Sequence, residues 1–208
     1  MEVLNETENP SAIITAMLGY FSTDWHRIVD WIPMHHRAVL ERIDTLKPGL
    51  KGTAIRAVEV EIERLVSGGM LVLSGEKASG KTLAACVAGL LFSYGENPEP
   101  EHRVCFVSAS RYLKSVFDGE LDYAHHPGLL VIDDMGCEYF KDSGWGNACW
   151  DELVDTRYRH DWPLLITTNL TAQQFAAKYG ERITSRIQEV GKWIKVKETG
   201  LRKPEGAK

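Results

Sequence analysis

The sequence predicts an α/β fold: a mainly parallel, doubly wound sheet flanked by helices. Three observations carry this prediction. Five short strand-like runs, "MLVLS", "RVCFVS", "LLVID", "PLLITT" and "WIKVK", follow one another between residues 70 and 197. Helical stretches alternate with them, and such alternation favours parallel crossovers. The first four runs are nearly all apolar, as strands covered on both faces are.

Residues 1–50 hold scattered apolar positions, Trp25 and Trp31, with breaks at Pro10, Pro33 and Pro48. A helix is expected around "HHRAVLERIDTL". In "TAIRAVEVEIERLVSGG", Ile55, Val58, Ile62 and Leu65 share one helical face, and Gly68 and Gly69 stop the helix at its C-terminus. After the first strand, Leu83, Cys86, Val87, Leu90 and Leu91 form an apolar stripe; a later one comprises Trp150, Leu153, Val154 and Tyr158. Thr171 and Gln174 have capping-box spacing before "FAAKYG". The predicted division is a helical partner-docking segment over 1–50, a core over 51–200 and a basic tail over 201–208.

The chain has 208 residues, 44% of them hydrophobic, with a formal net charge of −5. That length suits one α/β domain with a short extension. The negative balance excludes a wholly basic surface, so any nucleic-acid contact needs a local patch. "SAIITAMLGYF" is too short and polar to span a bilayer, so no membrane partner and a cytoplasmic location are expected. Cys86, Cys105, Cys137 and Cys149 lack CxxC spacing and lie in or beside apolar runs, so reduced core or near-core thiols are expected. His35–His36 and His125–His126 are neighbours in sequence, which do not converge on one ion; turn or surface histidines are expected.

"GEKASGKT" lies between the first strand and the helix after it and meets the pattern GxxxxGK[ST] at Gly75, Gly80, Lys81 and Thr82. Glycines let the backbone curl into a nest of inward N–H groups, and the helix N-terminus adds positive potential. Gly75, Glu76, Lys77, Ala78, Ser79, Gly80, Lys81, Thr82 and Leu83 are therefore the candidate nucleotide-binding residues. Lys81 reaches for β- and γ-phosphates, and Thr82 supplies a hydroxyl to Mg²⁺. "LLVIDDMG" ends a buried run in Asp133, a candidate Mg²⁺ ligand, and Asp134, a candidate base for an attacking water. Asn169, at the end of "PLLITTN", reads either as a γ-phosphate or water contact or as a turn residue before the Thr171 cap. Arg182 and Arg186 stand four apart in "GERITSRI" and read either as functional cations or as solvated ones. Trp145 reads as a base-stacking residue or as a buried or partner-facing one.

Strand–P-loop, "LLVIDD", "ITTNL" and "GERITSRI" occur in the order seen in AAA+ ATPases. Over residues 55–198 the chain resembles the bacterial helicase loaders of the DnaC/DnaI type. It is equally similar to their transposition relative, the IstB-type helper ATPase. The stretch "DELVDTRYRHDWPLLITTNL" with "GERITSRI" is the most specific part. The resemblance implies a P-loop NTPase of AAA+ type with a five-stranded sheet, a weak ATPase using ATP and Mg²⁺, and a homo-oligomer. It implies a replicative helicase as partner and a grip on single-stranded DNA. It further implies that Asn169 is sensor 1 and Arg186 an arginine finger acting on a neighbour's nucleotide, alongside Lys81, Asp133 and Asp134.

The sequence departs from the family at three points. "EKAS" stands where many AAA+ members have "PPGT", so Ala78 replaces a common glycine. The segment between "VCFVSAS" and "LLVIDD" is short where initiators and loaders usually carry a longer DNA-contacting element; "SRYLKS" still offers Arg111, Tyr112 and Lys114. A full C-terminal helical lid is not expected. The competing functions are an IstB-like transposition helper, a non-hydrolysing nucleotide-dependent interaction module, and a small-molecule kinase. The kinase reading leaves "ITTNL" and "GERITSRI" without a use.

Overall fold

The structure, a computed structural model, describes residues 53–94, 104–120, 122–138 and 143–196. The expected helix near residues 35–46, the docking segment 1–50 and the tail 201–208 lie outside the described residues. In chain order the elements are α1 (Thr53–Val66), β1 (Met70–Ser74), α2 (Lys81–Tyr94), β2 (Val104–Ser108), α3 (Ala109–Asp118), a 3₁₀ turn (Tyr123–His125), β3 (Leu129–Met135), α4 (Ser143–Arg159), β4 (Leu164–Thr168), α5 (Ala172–Tyr179), α6 (Glu181–Val190) and β5 (Gly191–Lys195).

All five expected strands form, in the order β2-β3-β4-β1-β5. Every pairing is parallel. Successive side chains on a strand point to opposite faces, and both faces here are covered. Leu71, Leu73, Val131 and Leu165 pack under α1 and α2. Met70, Val72, Leu130, Ile132, Leu164 and Ile166 pack against α3 to α6. The central strands β1 and β4 are buried throughout, whereas the edge strand β5 has no fully buried residue. The helix α2 is buried all round from Leu83 to Leu90 and so forms the inner helix of its layer.

Local signals act where the sequence places them. The Gly68 N–H bonds the Leu65 carbonyl and the Gly69 N–H the Arg64 carbonyl, with Gly68 at φ +85. That Schellman arrangement ends α1 and turns the chain into β1. The Thr171–Gln174 capping box forms with both reciprocal bonds.

At the end of the sheet away from the P-loop, Arg157 is fully buried and donates to the carbonyls of His126, Gly128 and Pro163. Those carbonyls stand where the chain enters β3 and β4. The guanidinium fork thus braces two strand entrances at once, a task a lysine cannot geometrically repeat. This gives a structural reason for the "DTRYRHDWP" stretch.

Two expectations are corrected here. Tyr112 does not face outward to a base: it is 3% exposed and stacks on Trp150 with ring centroids 4.8 Å apart. Arg111 beside it is paired with Glu120 at 3.5 Å. Cys137 is not a core thiol: it is exposed, while Cys86 is buried and Cys105 and Cys149 are half-buried, all four being free. Among the described residues no helix is long and apolar enough to cross a membrane, and no cluster of three or more metal-binding side chains forms. His125 pairs instead with Asp122 at 2.6 Å.

Candidate functional site

The chain meets at the C-terminal ends of β1, β3 and β4, where open parallel sheets place their ligand crevice. β1 leads into the P-loop, β3 ends in the two acidic residues, and β4 ends at Asn169. The Gly75 N–H bonds the Thr168 carbonyl at 3.2 Å, and Ser74 Oγ bonds the Leu170 carbonyl at 2.6 Å. These bonds fix the P-loop entrance against the end of β4.

The loop curls around Lys81. The lysine is 5% exposed, and its Nζ donates to the carbonyls of Gly75 at 2.9 Å and Glu76 at 2.8 Å and to Ser79 Oγ at 3.3 Å. Burial lowers its pKa from the ordinary lysine value, while Asp134, Asp133 and Cys137 act in the opposite sense. Gly80 takes φ +89, as the pattern requires, and Ala78 takes φ +68. For an alanine that left-handed backbone costs roughly 1–2 kcal/mol. Glu76 and Lys77 are exposed, and Ser79 is buried. The side chain of Leu83 packs into the core at 6% exposure, so only its backbone can serve a ligand.

Thr82 Oγ1 donates to Asp133 Oδ1 at 3.1 Å, bringing a hydroxyl from α2 onto the carboxylate of β3. These hard oxygen donors suit Mg²⁺, which binds proteins through one or two such groups and keeps its remaining positions for water and phosphate. Burial pushes the Asp133 carboxyl up from its usual range, and the hydrogen bond from Thr167 pulls the other way. Asp134 is exposed and stands at φ +55.

Asn169 is exposed at the crevice, and its amide donates to Cys137 Sγ at 3.4 Å. The loop carrying Cys137 is anchored by Glu138, whose side chain is 5% exposed. Glu138 Oε2 accepts the Gly136 N–H at 2.7 Å, and Oε1 receives Tyr179 Oη and Lys178 Nζ from α5. The helix α5 is thereby tied to the loop after the acidic pair.

Arg186 pairs with carboxylates of α4, not with the groups around Lys81. It lies on α6 against α4, where Nη1 meets Asp151 Oδ1 at 3.0 Å and Nη2 meets Asp155 Oδ1. Its side chain is 17% exposed. Arg182, 68% exposed, meets Asp151 Oδ2 at 3.4 Å. Ile183 and Ile187 are buried as expected, yet they do not hold Arg186 outward. Two carboxylates of α4 fold it along the surface.

Sequence reasoning missed Thr167, Cys137 and Glu138. Thr167 had a usable signal: a hydroxyl inside a strand buried on both faces must find a partner. Glu138 and Cys137 sit in an irregular loop that periodicity does not describe.

No protein-family model and no curated protein sequence matches the chain. Solved structures do match. One is the DnaC helicase loader, with a TM-score of 0.61 at 22% identity over 79% of this chain and 100% of that one. Another is DnaI, at 0.56 and 20% identity over 72% of this chain and 82% of that one. A third is AMPPCP-bound DnaA from Aquifex aeolicus, at 0.53 and 19% identity over 74% of this chain and 49% of that one. The chain therefore has the fold of these proteins, a five-stranded parallel sheet flanked by helices, and it spans about half of the DnaA chain.

Proposed function

We propose that the chain is an ATP-binding and hydrolysing AAA+ protein that loads or remodels a replicative DNA helicase in the cytoplasm. The observation that supports this most is the meeting of Lys81, Thr82, Asp133, Asp134 and Asn169 at three adjacent strand ends. The fold shared with the DnaC helicase loader and DnaI supports the helicase as partner, and the fold shared with AMPPCP-bound DnaA supports an adenine nucleotide.

In this reading the P-loop from Gly75 to Thr82 holds the phosphates, and Thr82 with Asp133 would hold Mg²⁺, which would supply positive charge to the phosphate oxygens. Lys81 exchanges its bonds to the Gly75 and Glu76 carbonyls for phosphate oxygens. Asp134 takes the proton of the attacking water, and Asn169 orients that water. Arg186 supplies a cation to a neighbouring copy's site after leaving Asp151 and Asp155. Assembly is thus coupled to breaking a paired contact, in keeping with a weak, partner-modulated ATPase. Single-stranded DNA acts as a modulator through residues other than the buried Tyr112.

Phosphate release by the chain and by Lys81→Ala, with and without single-stranded DNA, tests the ATPase. Turnover no higher than that of Lys81→Ala overturns it. Affinity capture with a non-hydrolysable ATP analogue, read by mass spectrometry, tests the partner. Recovery of a hexameric helicase is expected; recovery of a transposase instead overturns helicase loading.

A further inference from the structure

The pairing of β3 with β4 runs regularly through Leu130↔Leu164, Val131↔Leu165 and Ile132↔Ile166 and then shifts, so that Met135 faces Thr168. Two residues of β3, Asp133 and Asp134, thus stand opposite the single residue Thr167. Such bulges are rare between parallel strands, and they re-aim side chains. A regular strand sends neighbouring side chains to opposite faces. Here Asp134 takes φ +55, and both acidic residues act on the charge of Lys81.

A bulge also takes a backbone N–H out of the strand ladder. The Asp134 N–H goes to Thr167 Oγ1 at 2.9 Å. The same hydroxyl donates its proton to Asp133 Oδ1 at 2.6 Å. Thr167 is fully buried. A hydroxyl is both donor and acceptor, so it alone can join the backbone of one aspartate to the carboxylate of the other. Valine has the same shape and can make neither bond. Thr82 also donates to Oδ1. When Thr82 turns its oxygen to a cation, Thr167 is the hydroxyl left to hold Asp133.

We infer that Thr167 is a positioning residue for the hydrolytic reaction: one hydroxyl sets the left-handed backbone of Asp134 and the rotation of the Asp133 carboxylate together. This rests on the ATPase reading above. It assigns the aim of both acidic groups to a buried residue outside the P-loop. It also accounts for a fully buried hydroxyl near the C-terminal end of β4.

The test compares the full chain with Thr167→Val and Thr167→Ser, with Lys81→Ala as the blank. Steady-state turnover is measured against ATP and against Mg²⁺, and mant-ATP fluorescence titrations give the Mg²⁺ midpoint of binding independently of turnover. Circular dichroism and thermal melts verify folding. Thr167→Val is expected to lower kcat roughly 10- to 100-fold, the loss of a hydrogen bond to a charged group. KM for ATP is expected to stay within about threefold of the parent, because the P-loop is untouched. The Mg²⁺ midpoint is expected to rise in both assays. Thr167→Ser, which keeps the hydroxyl and loses a methyl, is expected to restore kcat and the midpoint to within about threefold. An unchanged kcat and Mg²⁺ midpoint in Thr167→Val overturns the inference while leaving the ATPase reading intact. Equal impairment in Thr167→Ser also overturns it, since a packing role would then suffice. If the parent chain releases no more phosphate than Lys81→Ala, the ATPase reading fails; the mant-ATP midpoints then decide the role of Thr167. Should Thr167→Val fail to fold, Thr167→Ser must bind Mg²⁺–nucleotide with the parent's midpoint, and a shifted midpoint overturns the inference.

Discussion

The crevice at the strand ends and the face between α4 and α6 both carry charge, but they are built in opposite ways. Around Lys81 the lysine itself, Ser79, Asp133 and Thr167 are buried, and they are fixed by P-loop carbonyls and by hydroxyls. Around Arg186 they are side chains meeting one another: half-buried Asp151, buried Asp155, and exposed Arg159 and Arg182. A site held by backbone keeps its geometry without a partner. A network of side chains can be exchanged for another: its exposed pair, Arg182–Asp151, contributes about 0–1 kcal/mol, and the more buried Arg186–Asp155 pair costs more to break unless a new partner replaces it. The first arrangement suits chemistry performed within one chain, and the second suits an element that changes partners.

The sharpest way to break this contrast is Lys81→Ala. It removes the buried cation around which the loop curls, and nucleotide affinity is expected to fall by roughly 100-fold or more by titration calorimetry. Equal affinity in variant and parent would end the P-loop reading.

Arg186→Ala probes the other region. Binding of ATP is expected to persist, while turnover drops by about 10³ to 10⁵, the worth of an arginine supplied across an interface in other NTPases. Mixing Arg186→Ala with Lys81→Ala chains is expected to recover part of the activity, because each mixed interface can join an intact P-loop to an intact arginine. No recovery between folded, assembled variants points to Arg182 in its place.

Asp134→Asn returns to the crevice. It is expected to leave Mg²⁺ and ATP bound and to slow hydrolysis by about 10² to 10⁴, the contribution of a positioned base. Undiminished turnover moves that role to a different group.

A gentler probe is pH. The folded-state pKa of Asp133 is raised by burial. The folded chain therefore holds this proton more tightly than the unfolded chain does. Ionisation costs stability as the pH rises from the ordinary aspartate value through the raised one. Mg²⁺ needs the ionised carboxylate, so its binding is expected to weaken on acidification at a higher pH than for an ordinary aspartate. In Asp133→Asn that acid limb should be missing from a Mg²⁺ titration series.

The smallest effect is expected at Ala78. Glycine relieves the left-handed strain but adds freedom to the unfolded chain, so Ala78→Gly should change stability by less than about 1 kcal/mol in urea unfolding. A larger loss would mean that the alanine methyl packs against the loop.

Much of the crevice was legible in the sequence because its parts are contiguous or follow apolar runs. The P-loop is one stretch, and β1, β3 and β4 each open with a run of buried apolar residues before the polar groups at their C-terminal ends. The bulge was not legible. Adding one residue within an apolar strand leaves the hydrophobic pattern intact, yet it reverses the direction of every side chain beyond it. The pairing of Arg186 with Asp151 was hidden for another reason: the partners are 35 residues apart and on different helices. Tyr112 looked like a nucleic-acid contact beside Arg111 and Lys114, but α3 turns it into the core. Composition names the residues of a helix without naming the face each one occupies.

The placement of Cys137 gives the molecule a built-in chemical reporter. Its sulfur is the accessible one of four, and it accepts the amide of Asn169 at the mouth of the crevice. A small fluorescent maleimide would therefore attach there in preference to the buried and half-buried thiols. Its emission would follow the arrival and departure of nucleotide in real time, without a cysteine having to be engineered into the chain.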